Sequence, residues 1–322
     1  NLPSKLQNCT FIVISLISPS EVKNTTSIAI GSFDGLHEGH RKLIESVVKE
    51  NKFTPTIASF WPHPREILYK ETRLRLDLPE EKLPLLESLG IKQLVLIPFN
   101  HDLSKLKPEE FIKEILFNQL QAKSISVGAN FKFGYKRSGD VQTINKMIMN
   151  TDIKLDIVPI LQDSEGRVSS SRVRELLQKG DLFNAERLLK RPYSFSGKVV
   201  KGKGIGKKIG CPTANLEIDG RKFLPGEGVY AAWTICQKNN TSFKSVMNLG
   251  PQPTINPLAP SAVEVHLIDR SINLYDLKLT VIPVHKIRSQ IKFSSLDELS
   301  EQISKDKISA KRLLKTFPLQ KT

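Results

Sequence analysis

Two histidines three residues apart, His37 and His40, close the run IAIGSFDGLHEGH (residues 28–40), behind apolar and glycine residues and with no cysteine or carboxylate cluster beside them. Zinc chemistry of the HExxH kind is one residue out of register, and no third ligand is obvious. Phosphate chemistry fits the spacing better. Gly31 ends a strand-like run, and a turn leads into a helix starting near Gly39, which gathers backbone N–H groups and the positive end of a helix dipole at one edge. Both imidazoles would project to one side of the first helical turn, where each could donate to a phosphate oxygen. Two surface histidines near a turn would leave the same trace. Further along, VSSSRVRELL (residues 168–177) puts Ser170, Ser171 and Arg172 at a helix start, an N-cap cluster with a basic first turn. In GKGIGKKIGCPTANLEI (residues 202–218), Gly202, Gly204, Gly206 and Gly210 precede Thr213 and Asn215, giving a flexible, basic loop suited to cradle phosphate. Neither GxxxxGK[ST] nor GxGxxG can be laid on it, and a long turn between strands is its plainer use. Glu264 alternates with Val263 and Val265, so it faces away from them, and solvent is the usual fate of such a glutamate.

Elements must hold these groups in place. SIAIGSF, TPTIASF, KQLVLIPF and SISVGANF read as strands, with helical patterns between them in HRKLIESVVKEN, EEKLPLLESLGI and PEEFIKEILFNQL, and KLDIVPIL follows. Such βαβα alternation predicts a parallel sheet with helices on both faces. Two short helical patterns, SSSRVRELLQKG and DLFNAERLLKR, then run to Arg191. Beyond Pro192 the texture changes to strands separated by Gly, Pro and Asn turns: YSFSGKVVKG, GVYAAWTICQ, FKSVMNLG, SAVEVHLI and LYDLKLTVIPVHKI, an antiparallel barrel or sandwich. The tail from Ser294 to Phe317 has helical spacing and serine caps, so a closing helix is expected. The boundary is set near residue 190, giving domains 1–190 and 191–322.

Composition agrees with two domains: 322 residues, 39% hydrophobic. The longest apolar runs fall far short of the roughly 20 residues that cross a bilayer, so no membrane partner is expected. No basic, apolar and small-residue leader opens the chain, and Cys9, Cys211 and Cys236 are widely spaced without a CxxC pair. Reduced thiols and a cytoplasmic address follow as expectations. The net charge of +15 could attract nucleic acid, but the cations are spread along the chain with no RNP-like motif, zinc-finger spacing or basic tail. No nucleic-acid partner is expected; a solvated surface and small phosphorylated ligands account for the excess.

The two halves together carry a resemblance. Gly-x-Phe-Asp-Gly-x-His-x-Gly-His after a strand resembles the nucleotidyltransferase signature, and VSSSRVR resembles the downstream Ile-Ser-Ser-Thr-x-Ile-Arg segment of that superfamily. SFWPHPREIL and VGANFKFGYKRSGD are similar to segments of the bacterial FAD synthetase adenylyltransferase module, PTAN to the riboflavin kinase motif, and VMNLGPQPTI, AVEVHLID and KIRSQIKF to further kinase segments. From about residue 24 to residue 315 the chain resembles the bifunctional bacterial riboflavin kinase/FMN adenylyltransferases (FAD synthetases of the prokaryotic type). That implies an α/β nucleotidyltransferase domain, Rossmann-like and of the HxGH type, followed by an antiparallel β-barrel riboflavin kinase domain with a closing helix. It implies phosphorylation of riboflavin to FMN, then adenylylation of FMN to FAD, with Mg²⁺ and ATP. His37, His40 and Glu264 would be catalytic. Gly31, Phe33, Asp34, Ser170, Ser171, Arg172, Gly202, Gly204, Gly206 and Gly210 would bind ATP phosphates, and His63, Pro64, Arg65, Asn130, Phe131 and Arg288 the flavin. Thr213 and Asn215 would hold Mg²⁺. On physical grounds alone, Phe131 and Phe133 could as well be core rings and Arg288 a surface cation. Departures from the family pattern are Ser32, Asn130, Lys207, Cys211, Gln252 and Asp276. Readings kept beside this one are a kinase with a vestigial first domain, a flavin-binding sensor without turnover and a nucleotidyltransferase-fold protein acting on nucleic acid. The oligomeric state is not readable from the sequence.

Overall fold

The computed structural model describes residues 14–319 except 73, 203–205, 207–209 and 252–260, with 261 and 262 described by their backbone alone. The chain divides into two compact units, one running to Glu71 and over Asp77–Ser169, the other comprising Thr72–Leu76 and the chain from Ser170 on.

In the first unit, β1 (Ser15–Ile17), β2 (Thr26–Ile30), β3 (Thr54–Trp61), β4 (Gln93–Pro98), β5 (Ala122–Gly128) and β6 (Lys154–Val158) form a wholly parallel sheet in the order β1-β4-β3-β2-β5-β6. Sequence pattern anticipates β2 to β5; β1 lies in the apolar run FIVISLI and β6 in KLDIVPIL. The central strands β2, β3 and β4 each feed two cores by turns. Ile28, Ile30, Ala58, Val95 and Ile97 pack on one face, and Ala29, Ile57, Leu94 and Leu96 on the other. Period-two alternation within strands that are apolar on both sides marks a sheet covered by helices on both faces. Helices α1 (Glu38–Lys49) and α3 (Pro79–Ser88) close one face; α2 (Pro64–Leu68) and α4 (His101–Lys105) are short connectors. On the other face, α5 (Pro108–Glu110) runs into a π-helix over Phe111–Gln119, where a plain α-helix is expected, and α6 (Val141–Ile148) follows. Leu120 N donates to the Ile115 carbonyl at 2.9 Å, five residues back. Phe111, Ile112, Ile115 and Leu116 of this segment are buried in the core. The chain steps from β2 outward through β3 to β4, then returns to place β5 on the free side of β2. The carboxyl ends of β2 and β5 therefore flank the switch point, where ligands bind in open α/β sheets. A two-residue hairpin, β7 (Gln162–Asp163) and β8 (Gly166–Arg167), ends the unit.

In the second unit, α7 (Ser170–Lys179) and α8 (Leu182–Leu189) precede β9 (Phe195–Val200), β10 (Ala214–Ile218), β11 (Gly228–Cys236), β12 (Thr241–Leu249), β13 (Ser261–Leu267) and β14 (Lys278–Arg288), and α9 (Leu296–Thr316) follows. The six strands close an antiparallel barrel, β10-β13-β12-β11-β14-β9, so of the two expected all-β forms the barrel is present. Strand β10, lying within the glycine and PTAN run, has no counterpart in the sequence reading. Leu216, Ile218, Tyr230, Met247, Leu249, Val263 and Val265 are buried staves of the barrel. On its outer face Val229, Ala231 and Val246 pack with Ala310 and Leu314 of α9, and Ser295 caps that helix by accepting from Glu298 N. The units divide at 169/170, ahead of the boundary expected near 190, because α7 and α8 pack with the barrel. Gly226 N donates to the Leu177 carbonyl at 3.0 Å, the Arg174 Nε to the Leu74 carbonyl at 2.8 Å, and α8 lies on β14.

Candidate active sites

The turn after β2 is held by two apolar anchors. Phe33 and Leu36 are fully buried while their backbones sit at φ 44° and 45°, with Gly35 between them at φ 85°. A left-handed residue costs about 1–2 kcal/mol, and burying a Phe or Leu side chain returns roughly 1.5–3 kcal/mol, so burial wins at both positions. The turn thus delivers His37 as the N-cap residue of α1 and His40 one turn later, with His40 N donating to the His37 carbonyl at 2.8 Å. Their rings stack with centroids 3.7 Å apart and planes 18° apart, and the Phe33 ring lies 5.1 Å from that of His40. Gly39 leaves the stack uncrowded: a Cβ there would lie 3.3 Å from two atoms of the His37 ring. Burial lowers the pKa of His40 well below the usual histidine value, and the neighbouring His37, Lys82 and Arg167 press in the same direction. Its Nδ1 is buried without a hydrogen-bond partner among the described residues. A neutral ring packed among cations is what a polyanion would recharge.

Two of those cations escaped the sequence reading. Lys82 on α3 is 3% exposed and donates to the Ser32 carbonyl at 3.4 Å, a carbonyl that also accepts from Ser59 Oγ at 3.0 Å. Pro79, Lys82, Leu83 and Leu86 are the buried residues of α3, so Lys82 sits on the helix's apolar stripe, a signal open to inspection. Arg167 faces Asn130: with the carboxamide oriented to satisfy both groups, its oxygen accepts from the two guanidinium nitrogens at 2.8 and 2.9 Å. Asn130 follows β5 and Gly31 follows β2, the two strands of the switch point.

Other predicted residues have structural work. The Phe33 side chain is turned wholly inward, and Asp34, 1% exposed, accepts from Asp77 N at 3.4 Å, so neither presents its side chain to solvent. His63 caps α2, its Nδ1 accepting from Arg65 N at 3.1 Å, and Pro64 is the first helical residue. Arg65 forms a two-pronged pair with Glu71, at 2.8 and 2.6 Å. Phe131 stacks on Phe133 at 5.3 Å and joins the core beside the π-helix. Ser170, Ser171 and Arg172 open α7 in the second unit.

In that unit the barrel register assembles a second group. Asn215 lies directly opposite Glu264, Glu264 opposite Asn248, Asn248 opposite Val229, and Val229 opposite Arg288. Paired residues share a face, so Asn215, Glu264 and Asn248 form one outward row across β10, β13 and β12. Gln290 Nε2 donates to Asn248 Oδ1 at 2.8 Å. Arg288, at the end of the row, is held by Asp306 of α9 through contacts of 3.0, 3.1 and 2.7 Å, which makes it more than a surface cation. A cavity of about 220 Å³ is lined by Gly202, Thr213, Asn215, Arg270, Asn273 and Tyr275 among others. A Cβ on Gly202 would fall 2.0 Å from the Asn215 carboxamide nitrogen, and one on Gly206 2.3 Å from the Cys211 carbonyl oxygen. These glycines are required by close approach. Gly210 has φ 72°; Gly204, Lys207 and Gln252 lie outside the described residues.

Residues 20–172 match the family model described as FAD synthetase, and residues 189–314 the one described as riboflavin kinase. A protein of Buchnera aphidicola subsp. Schizaphis graminum named bifunctional riboflavin kinase/FMN adenylyltransferase is 36% identical over 89% of this chain and 93% of its own length. Its namesake from Escherichia coli (strain K12) is 33% identical over 88% and 91%. The chain belongs to this family of bifunctional riboflavin kinase/FMN adenylyltransferases. A crystal structure described as a macrolide-efflux protein from Streptococcus pneumoniae has the same fold, with a TM-score of 0.80, 26% identity and coverage of 93% of this chain and 99% of that one. Among the described residues, no helix here is long and apolar enough to cross a membrane. Against the family pattern, Asp276 stands where glycine is usual, and its φ of 68° explains that preference; its carboxylate meets Lys198 at 2.5 Å. The donor set suits a hard cation. Thr213 and Asn215 offer neutral oxygens at the cavity, and among the described residues no cluster of three or more His, Cys, Asp or Glu could hold a metal unaided. Mg²⁺, which keeps waters and takes phosphate oxygens as ligands, fits such a site.

Proposed function

We propose that the two reactions of the family are divided between the two units and run in sequence. The barrel unit transfers the γ-phosphoryl group of ATP to riboflavin. Glu264 takes the proton of the 5′-hydroxyl as its oxygen bonds to the γ-phosphorus, the bond to the β-phosphate oxygen breaks, and FMN and ADP result. The glycine loop (Gly202, Gly204, Gly206 and Gly210) holds the phosphates, and Thr213 and Asn215 hold Mg²⁺, which when bound supplies charge neutralisation on the phosphate oxygens. Arg288, fixed by Asp306, steadies the flavin side.

The α/β unit then joins FMN to AMP. A phosphate oxygen of FMN bonds to the α-phosphorus of a second ATP, and pyrophosphate leaves with the electron pair; no covalent enzyme intermediate is needed. His37 and His40 hold the phosphates and stabilise the developing charge, with Lys82 and Arg167 adding to the field. Gly31 and the backbone at Phe33 and Asp34 leave room for the nucleotide, and Ser170, Ser171 and Arg172 contribute from α7. His63, Pro64, Arg65, Asn130 and Phe131 shape the flavin side. Functionally the chain divides near residue 190. The partners are small molecules, with no nucleic acid, and the address is cytoplasmic, in keeping with the free thiols of Cys211 and Cys236.

The observation that carries this reading is the stacked His37–His40 pair at the switch point in a chain whose barrel also aligns Asn215, Glu264 and Asn248. It is tested by chromatography of flavins after incubation with riboflavin, ATP and Mg²⁺. Wild type accumulates FAD, H37A stops at FMN, and E264Q slows riboflavin consumption roughly 10²- to 10⁴-fold while still converting supplied FMN to FAD. Arrest of wild type at FMN would support a vestigial first domain instead.

A further inference from the structure

The reactions above leave one motif histidine without a task. His266 follows Glu264 by two residues on β13, so its side chain leaves the strand on the same side. It is 7% exposed, and its Nδ1 lies 2.9 Å from the carbonyl oxygen of Pro212. A carbonyl oxygen only accepts, so Nδ1 carries the hydrogen and Nε2 the lone pair. Nε2 is buried with no hydrogen-bond partner among the described residues. An apolar side chain would fill this place without stranding an acceptor, so the gain from a polar ring lies at Nδ1. The Pro212 oxygen belongs to the planar peptide that leads into Thr213, and holding it fixes the plane from which Thr213 departs and β10 begins. Thr213 and Asn215 line the cavity, and so does Pro212, whose carbonyl His266 holds.

We propose that His266 is a positioning residue of the kinase site. Its Nδ1–H holds the Pro212–Thr213 peptide plane, and through it sets the Thr213 and Asn215 oxygens for the phosphates of ATP. This rests on the assignment of riboflavin phosphorylation to the barrel.

H266N keeps a donor close to the place of Nδ1, whereas H266L keeps bulk and removes the donor. H266L should lose about 10- to 100-fold in kcat/KM for riboflavin phosphorylation. It should also bind ADP more weakly by calorimetry in EDTA, while adenylylation of supplied FMN stays within about twofold. H266N should recover most of both losses, and long-range ¹H–¹⁵N spectra of wild type should show the Nδ1–H tautomer. The proposal is overturned by an Nε2–H tautomer, by H266L matching wild type in rate and ADP binding, or by H266N failing as badly as H266L with an unchanged melting temperature. If H266L does not fold, H266N and the spectrum decide. If wild type formed no FMN, the parent assignment would fall, while tautomer and ADP affinity would still report on the hydrogen bond.

Discussion

His40 is the residue whose chemistry is most altered by its surroundings. Its folded-state pKa is depressed, so as pH falls below about 6.5 the unfolded chain takes up a proton that the folded chain refuses. The contribution of His40 to stability is intact above that pH and declines as pH drops toward the folded value. Denaturant melts at pH 7.5 and 5.5 should show a smaller loss of stability for H40N than for wild type; equal losses would show that the ring is not held neutral. ATP should reverse the effect, binding with net proton uptake that calorimetry detects in buffers of different ionisation enthalpy. Gly39 gives a sharper contrast. Alanine in the first turn of α1 should raise helix stability by up to about 1 kcal/mol. The same Cβ would make the His37 ring give by a few tenths of an ångström, so G39A should lower FMN adenylylation, by less than the roughly 10²-fold that a misplacement of about 1 Å can cost. A variant that melts higher and works less well is the expected outcome.

Among elements, α9 is tied to the barrel by the Arg288–Asp306 pair as well as by its apolar face, and the two side chains are 16% and 3% exposed. R288L would leave the Asp306 carboxylate buried with only Gln302 Nε2, at 2.9 Å, as a remaining donor among the bonds described. Breaking a buried pair from one side costs about 3–5 kcal/mol, so R288L should melt markedly lower, and the double variant R288L/D306L should recover most of the loss. Legibility followed element length and repetition. The parallel strands β2 to β4 announce themselves because apolar residues recur on both faces, and α9 because its period is long and its cap is a serine. Strand β10 does not, since five residues behind a glycine loop carry too short an alternation to stand out from a turn. The π-helix is hidden because Phe111–Gln119 carries the same apolar spacing as an α-helix, with Phe111, Ile112, Ile115 and Leu116 on the core side. The segment SFWPHPREIL points to chemistry at His63 and Arg65, yet their local bonds, a cap and an ion pair, depend on a short helix that the sequence does not declare.

At the scale of the whole molecule, both reactive groups were visible in the sequence as motifs, and the structure supplies what a motif lacks, namely neighbours. Lys82 reads as an ordinary surface cation until the helix stripe that buries it is drawn, and Asn248 gains its place beside Glu264 only through a register linking residues distant along the chain. Supplying FMN to E264Q and riboflavin to H40A should recover opposite halves of the sequence of reactions, and a mixture of the two variants should make FAD from riboflavin, with FMN passing through solution. Each unit also has a core of its own: alternating strand faces beneath helices in one, barrel staves and α9 in the other. Heat therefore acts on two separate structures rather than one. In a warmed sample the proportion of FAD to FMN becomes a thermometer read in colour and fluorescence. A falling proportion reports that the parallel sheet has given way first, and a pool of untouched riboflavin reports that the barrel has.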